Sequence, residues 1–88
     1  MVKSKIIIQN QLGLHARASA KLLDLSSQFE SEILIKYQNK QANAKSILCL
    51  MALGVTKNAE IEICIEGVDE NSALAAITQL INGKFNEE

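Results

Sequence analysis

Glu60-Ile61-Glu62-Ile63-Cys64-Ile65-Glu66 decides the fold. Ile61, Ile63 and Ile65 alternate with Glu60, Glu62, Cys64 and Glu66, a two-residue period that belongs to a strand with one face on a core and one toward water. A strand of that kind belongs to an antiparallel sheet more readily than to a parallel sheet covered on both faces. Gly67 breaks the alternation, and Asp69 stands where a helix cap is expected. Ala73, Ile77, Leu80 and Ile81 then recur at helical spacing. Gly83 closes this last helix, and Asn86-Glu87-Glu88 is expected to fray.

Working back toward the N-terminus, Ser46 is placed to cap a short helix from Ile47 to about Leu53, ended by Gly54. Alternation predicts a strand over Ser31 to Tyr37, with Ile33, Ile35 and Tyr37 on one face. Gln38-Asn39-Lys40 forms the turn into a short strand near Gln41 to Ala44. From Ala16 the period is helical, with Ala18, Leu22, Leu25 and Phe29 as the buried stripe. Val2 to Ile8 reads as the first strand, and the loop Gln9 to Leu14, with Gly13 as its flexible point, joins the two. The resulting order, β-α-β-β-α-β-α, is α+β in two layers, an antiparallel sheet with helices on one face. Ferredoxin-like domains share this order up to the last helix, so periodicity leaves the strand order open.

Composition narrows the function. Residues 1–88 have room for one domain, and 48% hydrophobic residues supply one modest core. Nine Lys and Arg against ten Asp and Glu give a formal charge of −1, without the basic excess of a nucleic-acid binder. Tyr37, Phe29 and Phe85 are the only aromatics, too few on the sheet for an RNA-stacking face. Ile6-Ile7-Ile8 is too short for a signal-peptide core or a membrane span, so the cytoplasm is the expected location and membrane insertion is not expected. Cys49 and Cys64 form no C-x-x-C pair, and a single histidine cannot anchor a zinc cluster. Both thiols are therefore expected to be reduced and buried, with no metal and no cofactor.

That histidine, His15, stands two residues from the only arginine, Arg17, where the loop enters the first long helix. The unpaired amides and positive dipole end of a helix start attract anions, and a guanidinium fork suits phosphate oxygens. A neutral imidazole is a competent nucleophile. Together these describe a histidine that accepts a phosphoryl group; singly, His15 is also an ordinary helix cap and Arg17 a solvated charge. A small hydrolase using His15 is the weaker alternative, because no serine–histidine–carboxylate set can be assembled at the loop.

Gly13-Leu14-His15-Ala16-Arg17 resembles the phosphorylation-site signature of the HPr family, the histidine-containing phosphocarriers of the phosphoenolpyruvate-dependent sugar phosphotransferase system. Lys45-Ser46-Ile47 with Leu53-Gly54-Val55 resembles the family's regulatory serine segment. Glu66-Gly67-Val68-Asp69-Glu70 resembles its lead-in to the last helix. The resemblance spans essentially the whole chain. It implies an open-faced β-sandwich of four antiparallel strands and three helices, acting as a carrier and not as an enzyme with its own turnover. It further implies that His15 takes a phosphoryl group on Nδ1 from phospho-enzyme I and passes it to an enzyme IIA domain, with Arg17 stabilising the charge in transit. Ser46 would be the target of a serine kinase/phosphorylase. Ile47, Leu48 and Met51, on a helix apolar nearly all round, would form a docking patch. The carrier is expected to be a monomer. Where the family usually has proline after the arginine, this sequence has Ala18; alanine suits the helix but leaves open whether the relay serves sugar transport or a regulatory, nitrogen-type chain.

Overall fold

The computed structural model describes residues 1–87. Four strands form one sheet: β1 (Val2–Ile7), β2 (Glu32–Tyr37), β3 (Lys40–Asn43) and β4 (Glu60–Glu66). Three α-helices accompany them: α1 (Ala16–Ser26), α2 (Ile47–Ala52) and α3 (Glu70–Asn82). The strand order is β1-β4-β2-β3 and every pairing is antiparallel. β4 is central, with Ile63 paired to Ser4 on one side and to Ile35 on the other. The three helices cover one face, an open-faced α+β sandwich.

The core follows the alternation. Ile33, Ile35, Ile61, Ile63 and Ile65 are buried beneath Ala18 and Leu22 of α1, Leu50 of α2, and Ala73, Ile77 and Ile81 of α3. Each fully buried isoleucine contributes about 1.5–3 kcal/mol relative to exposure, which is why the register of β4 cannot slip by one residue. On the open face, Cys64 sits between Lys3 of β1 and Leu34 of β2 and is buried by them despite its glutamate neighbours. Burial raises its thiol pKa, reinforced by the Glu62 charge.

Several local expectations are corrected. Cys49 is exposed on the outer side of α2, not buried; both cysteines are free thiols. Phe29 lies beyond the end of α1, half-buried against the core. Lys40 belongs to β3, so the hairpin turn is only Gln38-Asn39, with Gln38 at φ 55°. Asp69 makes no side-chain cap of α3. Its carboxylate turns across the fold instead, accepting from the Glu30 amide (2.8 Å), the Ser31 amide (3.0 Å) and the Ser31 hydroxyl. Glu70 does the local work, accepting from the Gly67 amide at 3.2 Å.

The C-terminal segment departs most from expectation. Gly83 ends α3, but Lys84–Asn86 winds into a 3-10 turn in which Phe85 is fully buried in the core. Lys84, Phe85 and Asn86 all have left-handed φ values, 56°, 55° and 60°. Tertiary contact, not local preference, holds this turn. Asn86 and Glu87 are therefore docked, while Glu88, the last residue of the expected frayed tail, lies outside the described residues. No helix among the described residues is long and apolar enough to cross a membrane.

Candidate functional site at the start of the first helix

The loop before α1 is built around Gly13 and Asn10. The Gly13 amide donates to the Asn10 carbonyl (3.2 Å), and the buried Asn10 Nδ2 donates back to the Gly13 carbonyl (2.7 Å). Gly13 has φ +64°, and a Cβ there would lie 2.3 Å from the Val55 carbonyl oxygen. A side chain would thus add a left-handed penalty to a clash with backbone, which cannot swing aside. The Leu14 amide bonds the Val55 carbonyl at 3.1 Å and the buried Ser19 hydroxyl donates to the Leu14 carbonyl at 3.1 Å. The chain therefore enters α1 along one fixed path.

His15 is the N-cap of α1, with extended backbone (φ −74°, ψ −177°). Its carbonyl accepts the Ser19 amide at 2.9 Å, and its Nδ1 accepts the Arg17 amide at 3.3 Å. The imidazole thus fills the capping role that Ser, Asp or Asn more often supplies. With Nδ1 accepting, the neutral ring carries its proton on Nε2. That nitrogen faces Glu87 Oε2 at 2.5 Å. The lone pair of Nδ1 points at the amide-rich, dipole-positive end of the helix, where an anion is favoured. Arg17 is exposed, and with Gln11, Leu12, His15, Ala16 and Glu87 it lines an open hollow of about 630 Å³.

Glu87 is the site residue that sequence reasoning missed. Its other oxygen, Oε1, accepts from Asn10 Nδ2 at 3.2 Å, and the turn before it is pinned by the Phe85 ring and by Lys21 Nζ on the Phe85 carbonyl (2.5 Å). Burial pushes the Glu87 carboxyl up, but hydrogen bonds from His15 and Asn10, with the charges of His15 and Lys21, outweigh it and hold the group below the usual carboxylate range. One signal was available: a large aromatic two residues past a helix-ending glycine is a poor candidate for a frayed end.

Ser46 caps α2, its hydroxyl accepting from the Cys49 amide at 3.4 Å. Only Leu50 of that helix is fully buried. Leu48 is 78% exposed, Met51 43%, and Ile47 is half-buried, so the three residues present apolar surface on the outer side of α2. Ala18, which directly follows Arg17, is fully buried in α1. Among the described residues no group of three His, Cys, Asp or Glu could hold a metal ion.

The sequence matches the family described as PTS HPr component phosphorylation site over residues 2–83. It is 47% identical over 87 residues to the phosphocarrier protein HPr of Neisseria meningitidis, covering 99% of this chain and 98% of that protein. A crystal structure of HPr-C-His from Thermoanaerobacter tengcongensis superposes with a TM-score of 0.96 at 42% identity, covering 100% and 99% of the two chains. A crystal structure of an HPr dimer from the same organism is 41% identical, with a TM-score of 0.79 over 99% and 100%. The chain belongs to the HPr family. It is a phosphocarrier of the phosphotransferase system, a protein that relays a phosphoryl group and does not turn over a substrate of its own.

Proposed function

We propose that His15 is the residue that carries the phosphoryl group, on Nδ1, taking it from phospho-enzyme I and giving it to an enzyme IIA domain. The observation that carries this reading is the division of labour on the ring: Nε2 is engaged by Glu87, and Nδ1 is directed at the amide end of α1. The Arg17 amide that now bonds Nδ1 is positioned to turn to a phosphoryl oxygen, and Arg17, an exposed residue, lines the same hollow. Phosphoryl transfer depends mainly on positioning and charge stabilisation, which these donors supply. The carrier is proposed to act in the cytoplasm and as a monomer.

Docking uses the exposed apolar side of α2, Ile47, Leu48 and Met51, and phosphorylation of Ser46 by a serine kinase regulates it. With Ala18 in place of proline, the relay serves either sugar uptake or a regulatory, nitrogen-type chain, and the IIA partner distinguishes them. The test is incubation with enzyme I and phosphoenolpyruvate. One acid-labile, base-stable phosphoryl group per chain is expected, and none on His15→Ala. A His15→Ala protein that still takes up label would remove His15 from this role.

A further inference from the structure

The two ring nitrogens of His15 face opposite chemistry. Nδ1 accepts the Arg17 amide, whereas Nε2 lies 2.5 Å from a carboxylate oxygen. That carboxylate is not a loose surface group: the buried Asn10 amide holds its second oxygen, and the buried Phe85 anchors the turn that carries it. The His15 and Glu87 side chains are 27% and 15% exposed, so water screens the pair only in part. From this geometry we infer that Glu87 is a positioning residue for the relay, keeping one proton on Nε2 of His15 through both acceptance and donation. The inference rests on the reading of His15 as the carrier.

The proton matters because it decides what leaves. In acceptance, the Nδ1 lone pair bonds to phosphorus while the donor histidine's P–N bond breaks, its electron pair returning to the donor. The His15 ring then bears Nδ1–P and Nε2–H together and is a cation, directly opposite the Glu87 carboxylate. In donation, the acceptor nitrogen bonds to phosphorus, the P–Nδ1 bond breaks, and its pair returns to Nδ1. If Nε2 still holds its proton, the departing ring is a neutral imidazole; without that proton it would have to leave as an imidazolate, a far poorer leaving group. The ring also finishes in the tautomer that accepts the next phosphoryl group, so neither step requires a proton from solvent. The other charged groups nearby are Arg17, which lines the hollow beside the ring, and Lys21, which bonds the Phe85 carbonyl. Lys57, from the segment after α2, is turned to Gln11. Glu87 is thus the anion placed against Nε2 among the described residues.

The experiment compares wild type, Glu87→Gln and Glu87→Asp. Each protein is phosphorylated with enzyme I and phosphoenolpyruvate, and donation to a IIA domain is followed from pH 6 to pH 10, with 15N NMR of the labelled ring in the free and phosphorylated forms. Glutamine keeps an acceptor of the same shape and removes the charge. Its donation rate should fall off at a pH lower by about one unit than in wild type, the modest end of what an opposing charge produces, because the pair is partly exposed. On the alkaline limb that is a loss of roughly tenfold. The Nε2 proton should leave the phosphorylated ring over the same pH range, and Glu87→Asp should lie between the other two. Superimposable pH profiles and ring spectra for wild type and Glu87→Gln would overturn the role of Glu87. Failure of the wild type to take up label would instead overturn the reading of His15 as carrier, so the two failures are distinct.

Discussion

Replacing Phe85 by alanine tests whether the tail is held by one side chain. A fully buried phenylalanine in a core normally costs about 3–5 kcal/mol when truncated. Here, however, the ring works against its own backbone. Lys84, Phe85 and Asn86 are three consecutive non-glycine residues in the left-handed region, at a cost of about 1 kcal/mol each, or about 3 kcal/mol together. The surplus holding the segment down is then at most about 2 kcal/mol, the difference between those two figures. Without the ring, docking is unfavourable and the turn should release, recovering its strain. Phe85→Ala should therefore lose no more than about 2 kcal/mol, at most about 15 °C in Tm for a domain of this size. The assay pairs thermal unfolding with hydrogen exchange at the Asn86 and Glu87 amides, which bond the Gly83 and Lys84 carbonyls at 3.0 and 3.1 Å. Both amides should lose protection. A loss of 3–5 kcal/mol with the two amides still protected would refute the reasoning and make Phe85 an ordinary core residue.

Arg17→Ala should leave Tm unchanged, because the side chain is exposed, and slow phosphoryl transfer on the order of 10²–10³-fold, as loss of other charge-stabilising donors does; unaltered kinetics would reduce Arg17 to a solvated charge. Ser46→Asp should hold its melting temperature, since aspartate also caps a helix, while enzyme I phosphorylates it more slowly because the new charge borders Ile47, Leu48 and Met51. Equal rates would take α2 out of the docking surface. Asp69 is held below its ordinary value of 3.8 by the Ser31 hydroxyl first and the Glu30 amide next, and Glu87 below 4.5. A depressed folded value means that the stability is fully present above the unfolded value and disappears as pH falls through the folded one. Urea midpoints should stay level above about pH 5.5 and drop below about pH 4.5, with a shallower drop in Asp69→Asn; an unchanged slope in that variant would contradict the assignment.

Strand and helix periods depend on neighbours within a few residues, and the elements they predict are the ones the fold contains. Alternation alone places Ile61, Ile63 and Ile65 inward, and the onset of helical period puts His15 at the start of α1 with Arg17 two residues on. Alternation puts Cys64 on the face away from the core, and its burial, expected of a reduced thiol, comes from Lys3 and Leu34 on the flanking strands. The strand order β1-β4-β2-β3 is a set of pairings between distant segments, and the same local patterns are compatible with other orders. Asp69 shows the limit clearly. Its position in the sequence is that of a helix cap, yet the donors it meets, Glu30 and Ser31, arrive from the other half of the chain. Glu87 lies 72 residues from His15, and burial of Phe85, with Lys21 on its carbonyl and Asn10 on the carboxylate, brings the two together. Local sequence sets periodicity and caps because those are short-range sterics and hydrogen bonds. Tertiary packing alone decided which carboxylate faces the histidine, because a left-handed turn at the C-terminus is stable only after the core has formed to receive its ring.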